Sequence, residues 1–472
     1  MKRAVRWFDY ITINIYWFAL TTRSQVLSPL IVPLLVQRFV GEAAKGAYVG
    51  NIRLWALMVA VLFQALMGML SDRSTSKFGR RRPFILAGTI GEVIIISLIG
   101  FTAGLDGMTG YWFLFLLYSL SMIASNTAHA ATQGLIPDLV PEEKRGQFSG
   151  VKALLELPVP LIFVSFVIGK MVSAGNLWAA IFSLLAILIT AAAISMFIPE
   201  TALEEKPEKM DWNPILRLVA MTAVFTGVIL IMGALVNRVM YAVIASLGDK
   251  STIWVMLIGL LGMTTAIGIG VWSSIRISIG KRFTEQRPFT WWVVNRLAFL
   301  SGSTNLAGFM VFFLQERFPS MQGEKAAGPA ATITMFVGVF ILISALPSGW
   351  LSDRFGKKTI ILTSALLAAG GTAVVILSPT LFTMYIGGSL IGAGIGFFYS
   401  ANWALGTELV PAKEAGRFLG ISNLAGAGAG AVGAYIGGPI ADQIGYTPLM
   451  IIYGILFILS LFALYKIKTK PN

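Results

Sequence analysis

The chain contains the basic segment Gly68-Met69-Leu70-Ser71-Asp72-Arg73-Ser74-Thr75-Ser76-Lys77-Phe78-Gly79-Arg80-Arg81-Arg82-Pro83-Phe84, which recurs in shorter form as Gly349-Trp350-Leu351-Ser352-Asp353-Arg354-Phe355-Gly356-Lys357-Lys358. Each copy lies between two long apolar stretches, as expected of a short loop between membrane spans. Basic loops of this kind are typically cytoplasmic. Because the two copies are far apart in the chain, they indicate a membrane domain built from two repeated halves.

The composition is that of a helical membrane protein. Of the 472 residues, 56% are hydrophobic and only 12% are charged, about half the charged fraction of a typical soluble domain, and the mean hydropathy is +0.78. Apolar windows of about 20 residues, long enough to cross a bilayer, recur along the whole chain. The predicted fold class is therefore an all-α polytopic membrane protein with almost no soluble part.

These features exclude several classes of function. There is no nucleotide-binding loop, metal cluster or appended domain, so we predict no enzyme activity, no cofactor and no metal site. The net charge of +14 is concentrated in short loops, where it sets orientation and contacts anionic lipids rather than nucleic acid. The cysteine count is 0, which excludes disulfides and thiolate chemistry. No cleavable signal pattern precedes the first span, which we expect to be retained.

Apolar stretches and breakers predict fourteen spans. Six lie in the first half, at residues 12–36, 49–71, 84–104, 111–135, 148–170 and 177–198, and six in the second, at 290–316, 328–351, 358–378, 381–405, 416–438 and 446–466. Windows 218–247 and 252–275 predict an extra hairpin between the halves; twelve spans result if this region includes an interfacial helix. The predicted domains are an N-terminal six-helix bundle (1–199), a cytoplasmic linker (200–216), the hairpin with its basic loop (217–289) and a C-terminal six-helix bundle (290–472).

An even number of spans places both copies of the basic segment on the same side of the membrane. The loops on that side are rich in Lys and Arg, whereas those on the other side hold few basic residues. By the positive-inside rule, the basic side is cytoplasmic. We therefore predict a multi-pass protein of the plasma membrane with both termini in the cytoplasm.

A second repeat supports the duplication. Asp138-Leu139-Val140-Pro141-Glu142-Glu143-Lys144-Arg145-Gly146-Gln147-Phe148-Ser149-Gly150 aligns without gaps on Glu408-Leu409-Val410-Pro411-Ala412-Lys413-Glu414-Ala415-Gly416-Arg417-Phe418-Leu419-Gly420. The acid, Leu-Val-Pro, Gly, Phe and Gly match in frame. Each copy follows the fourth predicted span of its half, so the two halves share both motifs in the same order.

The basic segment resembles the signature loop of the major facilitator superfamily, between the second and third spans of each half. The resemblance implies two six-helix bundles, to which the predicted hairpin is added, and transport by alternating access. It also implies that the loops latch the halves together when the carrier faces outward. The residues to which it assigns this gating role are Gly68, Asp72, Arg73, Gly79, Arg80, Arg81, Asp138, Gly349, Asp353, Arg354, Gly356, Lys357 and Glu408.

Local chemistry gives these residues physical tasks. We expect Gly68 and Gly349 to let two helices approach closely, and Gly79 and Gly356 to form the tight turn. Asp72 and Asp353 end a helix and can accept hydrogen bonds from the N-terminus of another. Asp138 and Glu408 are the natural partners of the bases Arg80, Arg81, Lys357 and Lys358. The alternative is that the loops only anchor the topology.

The first copy, four residues longer than the second, is similar to the loop of the plant sucrose transporters and their sugar–proton symporter relatives. Gln64 also fits that pattern, and the stretch Asn126…Gln133-Gly134 fits it more loosely. The resemblance covers residues 15–150 and implies a sugar substrate. The second half resembles a general facilitator half, and the extra hairpin departs from the twelve-span plan of the sugar family.

Ionisable residues inside spans are costly and therefore candidates for function. Arg23, Glu92, His129 and Glu156, with Lys152 one turn away, lie within predicted spans. The superfamily resemblance implies that the first and fourth spans line the cavity. The candidate substrate-binding residues are Arg23, Asn14, Trp17, Gln25, Asn126, His129, Gln133, Tyr399 and Asn402, with Tyr16, Asn295, Arg296, Asn305 and Trp403 as further candidates.

A carboxylate beside an arginine is a minimal proton switch, because protonation of the acid frees the arginine. The candidates for this proton-coupling role are Glu156 and Glu92. Glu156 is preferred, since the fifth span is expected to pack nearer the cavity. The alternative is a static buried ion pair that holds the bundle together.

The function predicted from these patterns is secondary active transport by alternating access, with proton-coupled uptake of a sugar or glycoside. One alternative is a proton-antiport exporter of drugs or lipids, although the fifth span lacks the Gly-x-x-x-Gly-Pro-x-x-Gly-Gly pattern of such exporters. Others are an importer of an anionic solute held by Arg23 and a non-transporting sensor. The predicted partners are a small-molecule substrate, protons or sodium, and membrane lipids; we expect a monomer.

Overall fold

The fold is described from a computed structural model, covering residues 6–200, 211–280, 287–409 and 415–467. Within these ranges every regular element is a helix. The first half consists of α1 (Asp9–Val40), α2 (Lys45–Asp72), α3 (Arg82–Thr102), α4 (Gly107–Leu139), α5 (Glu142–Ser173) and α6 (Leu177–Ser195). Helices are expected here because a backbone in lipid must satisfy its hydrogen bonds within the segment.

Two long helices follow, α7 (Asn213–Leu247) and α8 (Thr252–Ile279). The second half consists of α9 (Arg287–Gly308), α10 (Met310–Arg317), α11 (Ala327–Phe355), α12 (Lys357–Leu377), α13 (Leu381–Leu409), α14 (Ala415–Ile444) and α15 (Tyr446–Lys466). α9 and α10 meet at an angle of 57°, a bend that fits a broken span or a re-entrant loop.

The described residues contain twelve apolar stretches long enough to cross a membrane, and the bent α9–α10 pair makes thirteen. One of the twelve, Asn213–Ser278, is 66 residues long and holds both α7 and α8, of 35 and 28 residues. Each of these two helices is long enough to span by itself. If they are counted separately and the bent pair is counted as one span, the total is fourteen; that number stays a prediction.

The helices α7 and α8 pack as an antiparallel hairpin. A Cβ added to Gly262 would lie 2.2 Å from Val236 Cγ2, and one added to Gly270 would lie 2.4 Å from Phe225. Phe225 also lies against Gly428 of α14. The hairpin therefore joins the second half through close contacts at glycines.

Proline-containing segments interrupt two helices of the first half. α1 contains a π-helical turn at Leu27–Ile31, which includes Pro29. α5 breaks at Leu157, just before Pro158, and contains a π-helical turn at Val164–Ile168. Proline removes a backbone donor and clashes with the preceding turn, and single π-turns frequently occur at functional sites.

The chain forms two compact units that do not coincide with the halves. Unit 1 takes its residues from Met1–Phe39, Val59–Ile215 and Ala327–Met335, and unit 2 from Val40–Met58, Leu216–Ala326 and Phe336–Asn472. The first turns of α2 thus belong to unit 2, and those of α11 to unit 1. α2 and α11 are the equivalent second spans of the two halves. Each half therefore contributes the start of its second span to the unit that holds most of the other half.

Both exchanged segments are held at the end of the spans farthest from the basic loops. In unit 2, the N–H groups of Gly46 and Ala47 donate to the Asp442 carboxylate at 2.8 and 2.7 Å. In unit 1, Gly328 N–H donates to Ser173 Oγ at 2.6 Å. Asp442, near the end of α14, thus caps the N-terminus of α2. Ser173, at the end of α5, caps the N-terminus of α11.

Candidate functional site

Two polar clusters within the helices of unit 1, together with the basic loop that follows α2, form the candidate functional site. In the loop, Gly79 has a φ of 107°, which permits the tight turn between α2 and α3. Arg80 Nη2 lies 2.7 Å and Arg81 Nε 2.9 Å from Asp138 Oδ2, at the end of α4. Arg81 also pairs with Asp72. The ion pairs expected of Asp138 are therefore present.

Glu200 is a member of this loop cluster that sequence reasoning missed, since it was assigned to the linker. Its carboxylate accepts hydrogen bonds from the N–H of Arg81 at 2.7 and 2.8 Å and of Arg82 at 3.0 Å. Burial raises the pKa of Glu200, and these backbone donors oppose the shift. The acceptor at the N-terminus of α3 is thus Glu200, whereas Asp72 pairs with arginine side chains. The sequence feature that could have predicted this contact is an acidic residue directly after the sixth span.

The second basic loop has fewer of these contacts. Gly356 has a φ of 88°, and Lys357 pairs with Glu408 at the end of α13. Arg354 packs on Trp350, with its guanidinium carbon 5.5 Å from the ring centre. Asp353 is exposed, and within the described ranges no ion pair includes it. Residues 410–414, most of the second Leu-Val-Pro motif, lie outside the described residues.

The close helix contacts expected at Gly68 and Gly349 are not seen among the described residues. A Cβ added to Gly349 would meet no atom within 4 Å, and one added to Gly68 would meet only Ala130 Cβ at 3.9 Å. Within the described part of each unit, a close approach of another helix at either glycine stays a prediction. Gly134 of α4 makes room for a side chain, because a Cβ at this position would lie 2.4 Å from the Arg81 guanidinium. Arg73, another predicted gating residue, is partly exposed at the end of α2.

Removing the Glu200 carboxylate should destabilise the protein. Glu200→Ala leaves the N–H groups of Arg81 and Arg82, at the start of α3, without their acceptor, and loss of a helix cap costs about 0.5–2 kcal/mol. We expect a lower melting temperature for the purified protein in detergent, measured by thermal shift. Glu200→Gln keeps one acceptor oxygen and should lose less. Equal melting temperatures for Glu200→Ala and wild type would contradict the capping role.

The first of the two clusters is a buried ion pair between α1 and α3. Arg23 Nε lies 2.9 Å from Glu92 Oε2, and their side chains are only 4% and 2% exposed. Arg23 Nη2 also donates to Glu92 Oε1 at 3.3 Å and to Ser121 of α4. Ser121 Oγ in turn donates to Glu92 Oε1 at 2.8 Å. Three helices are therefore joined through one charged pair.

This geometry corrects the preference for Glu156. Glu92 is the carboxylate that Arg23 contacts, whereas Glu156 lies 3.5 Å from Lys152 on its own helix. Arg23 is also less suited to hold a solute than expected, because Glu92 and Ser121 already use its Nε and Nη2 groups. Position within a span did not reveal which face of the helix each acid occupies.

The second cluster joins α1, α4 and α5 at Trp17. The indole ring lies edge to face with the His129 ring, with 5.3 Å between ring centres. Lys152 Nζ lies 3.8 Å from the centre of the Trp17 ring, and Gln133 Nε2 lies 3.2 Å from His129 Nε2. The structure thus brings together Trp17, His129, Gln133 and Lys152. We call these four residues the Trp17 cluster.

Other predicted binding residues serve the helices themselves. Asn14 Nδ2 and Asn126 Nδ2 donate to backbone oxygens of their own segments, at 3.0 and 2.8 Å. Tyr16 Oη lies 2.6 Å from Thr89 Oγ1 of α3, and Gln25 is half-buried.

In unit 2, a separate polar group surrounds Asn402. Its amide donates to Asn295 Oδ1 at 3.0 Å and accepts from Arg296 Nη1 at 3.1 Å. Arg296 also lies over the Trp403 ring, with 5.6 Å to its centre. Tyr399 is 41% exposed, and Asn305 donates to Ser301 O at 2.9 Å.

These features define a helical membrane protein of two related halves with paired basic loops. The sequence matches the profile of the Major Facilitator Superfamily over residues 13–321 and 297–472. The chain therefore belongs to this family.

Similarity to individual relatives is partial. The chain is 28% identical over 145 residues to Myo-inositol transporter 2 of Schizosaccharomyces pombe, covering 30% of this chain and 26% of the relative. It is 34% identical over 139 residues to Multidrug resistance protein MdtG of Proteus mirabilis, covering 29% and 34%. For Sucrose transport protein SUC3 of Arabidopsis thaliana, the identity is 29% over 113 residues, covering 21% and 19%. The matched segments thus span about a third or less of these relatives.

Solved structures share the fold over the whole chain. A D-xylose–proton symporter superposes with a TM-score of 0.62 at 15% identity, covering 98% of each chain. The nucleoside transporter NupG superposes with a TM-score of 0.61 at 12% identity, covering 98% of this chain and 100% of the other. At these identities the likeness concerns the fold alone.

Proposed function

We propose that this protein is a secondary active transporter that couples uptake of a sugar or glycoside to protons by alternating access. The observation that carries the proposal is the buried Arg23–Glu92 pair, joined to Ser121 across three helices. Charged residues inside a membrane domain are costly and commonly mark ion pathways. The proposed orientation places the basic loops and both termini in the cytoplasm, with the protein in the plasma membrane.

Chemistry at the pair provides the coupling. An ionised Glu92 holds Arg23 and thereby joins α1 to α3. Protonation of Glu92 removes that attraction and leaves an arginine with unsatisfied donors, which favours a different arrangement of the helices. A proton taken up from one side and released to the other would thus drive the conformational cycle.

The substrate class is supported by two kinds of similarity. The first basic loop resembles that of sugar–proton symporters, and partial relatives are named as transporters of myo-inositol and sucrose. A proton-antiport exporter is the second candidate, because the partial similarity to the multidrug resistance protein has the higher identity, 34%. The two candidates differ in the direction of solute movement relative to the proton gradient.

Transport by purified protein in liposomes tests the proposal. Radiolabelled sucrose, myo-inositol, glucose and D-gluconate are offered with an imposed inward proton gradient, and a lipophilic cation dye is offered with the gradient reversed. We expect accumulation of at least one sugar in wild type. Glu92→Gln should abolish gradient-driven accumulation but retain sugar counterflow, since the amide can still hydrogen-bond Arg23.

Glu142→Gln is the matched control, because that carboxylate is 83% exposed at the start of α5 and should leave accumulation unchanged. Gradient-driven accumulation by Glu92→Gln at the wild-type level would refute the coupling role. Proton-driven extrusion of the dye, with no sugar uptake, would favour the exporter.

A further inference from the structure

We infer that the Trp17 cluster binds the carboxylate of the solute, so that the transported sugar is a sugar acid, a polyhydroxy carboxylate. The inference rests on the proposed function, sugar transport, and specifies its substrate. It also moves the expected anion-binding residue from Arg23 to Lys152.

The first step concerns which cation is available. Arg23 is almost fully buried, and its Nε and Nη2 groups already donate to Glu92 and Ser121. Lys152 differs, since its side chain is 30% exposed and its nearest carboxylate oxygen, on Glu156, lies 3.5 Å away. That distance exceeds a normal hydrogen bond, and partly exposed ion pairs are weak. The Lys152 ammonium therefore retains donors for another carboxylate.

The second step concerns water. By the helical rise of 1.5 Å per residue, Lys152 lies about 15 Å along α5 from its basic-loop end, near the start of the span predicted at residues 148–170. A partly exposed lysine within a span is stable where it faces water rather than lipid. Glu156, one turn further, is 37% exposed, and Gln133 on α4 is exposed as well. Glu156 and Gln133 thus lie beside Lys152 and His129, the two residues that contact the Trp17 ring.

The third step concerns the remaining donors. Trp17 is 3% exposed, and its Nε1–H has no partner among the described residues. A buried indole N–H ordinarily finds an acceptor. His129 and Gln133 bring further hydrogen-bonding atoms within 3.2 Å of each other. An ammonium, an unpartnered indole N–H and neighbouring neutral hydrogen-bonding groups together match a solute with one carboxylate and several hydroxyls.

Binding of two matched solutes tests the inference. D-gluconate and D-sorbitol share a hydroxylated six-carbon chain and differ at one end, a carboxylate against a hydroxymethyl group. Purified full-length protein is titrated with each by thermal shift and calorimetry at constant ionic strength, with sodium chloride as the salt control and sucrose and myo-inositol in parallel. We expect wild type to bind gluconate at least about tenfold more tightly than sorbitol, because hydrogen bonds to a charged group are the stronger ones.

Variants identify the residue. Lys152→Met should weaken gluconate binding at least about tenfold and remove the preference over sorbitol, whereas Lys152→Arg should retain the preference. Lys170→Met is the matched control, because Lys170 is exposed on the same helix and also lies over an aromatic ring, 5.5 Å from the centre of Phe166. It should bind gluconate as wild type does. The wild-type comparison of gluconate with sorbitol decides the question even if a variant fails to fold.

Equal affinity for sorbitol, sucrose and gluconate would overturn this inference and leave the proposed sugar transport standing. So would a gluconate preference that survives in Lys152→Met. Binding of the lipophilic cation dye, with no binding of any sugar, polyol or sugar acid, would overturn both proposals together.

Discussion

Arg23→Met is expected to destabilise the protein by about 3–5 kcal/mol, the usual consequence of removing one partner from a buried ion pair. The structure explains the size of the effect. Glu92 would remain 2% exposed and keep only Ser121 as a described side-chain donor. The expected measurement is a large drop in melting temperature in detergent, together with a loss of gradient-driven transport.

The double variant Arg23→Met/Glu92→Leu separates folding from function. With both charges gone, no buried carboxylate is left unpaired, and replacing a buried pair by apolar residues is often neutral or stabilising. We therefore expect the double variant to recover most of the lost stability while still failing to accumulate solute against a gradient. Recovery of gradient-driven accumulation in the double variant would show that the pair is structural, as in the static alternative. A wild-type melting temperature for Arg23→Met would contradict the expected contribution of the Arg23–Glu92 pair to stability.

A disulfide between α5 and α11 is expected to stop transport. The Ser165 and Thr332 hydroxyl oxygens lie 2.9 Å apart within unit 1, so cysteines at these positions place two sulfur atoms within reach of a bond. In alternating access, contacts at one end of a carrier separate when that end opens. Oxidised Ser165→Cys/Thr332→Cys should therefore lose more than about tenfold in transport rate, because the cross-link holds the first turns of α11 on α5.

The chain contains 0 cysteines, so the two introduced cysteines have no native thiol with which to form a wrong disulfide. Each single-cysteine variant should transport at the wild-type rate under the same oxidant, and reduction of the double variant should restore transport. Disulfide formation verified by mass spectrometry, with transport unimpaired, would show that this contact persists throughout the cycle. The first turns of α11 would then belong permanently to unit 1.

The side-chain caps at the N-termini of α2 and α11 could not be predicted from the sequence. The caps on α2 and α11 come from Asp442 and Ser173, residues near the ends of α14 and α5. Neither belongs to a motif, and an acid or a serine near a helix end is common. The pairing depends on which helix of the chain lies alongside, and that neighbour is set by tertiary packing.

The sequence by itself determined the helical membrane class, the position of nearly every span and the two-half organisation. These follow from local physics, since lipid requires continuous hydrogen-bonded apolar helices and a turn such as that at Gly79 requires a positive φ. Only the tertiary structure decided that Arg23 meets Glu92 rather than Glu156 and that Glu200 caps α3. Each of these depends on how a helix is rotated about its axis and on what packs beside it, which spacing along one helix does not specify.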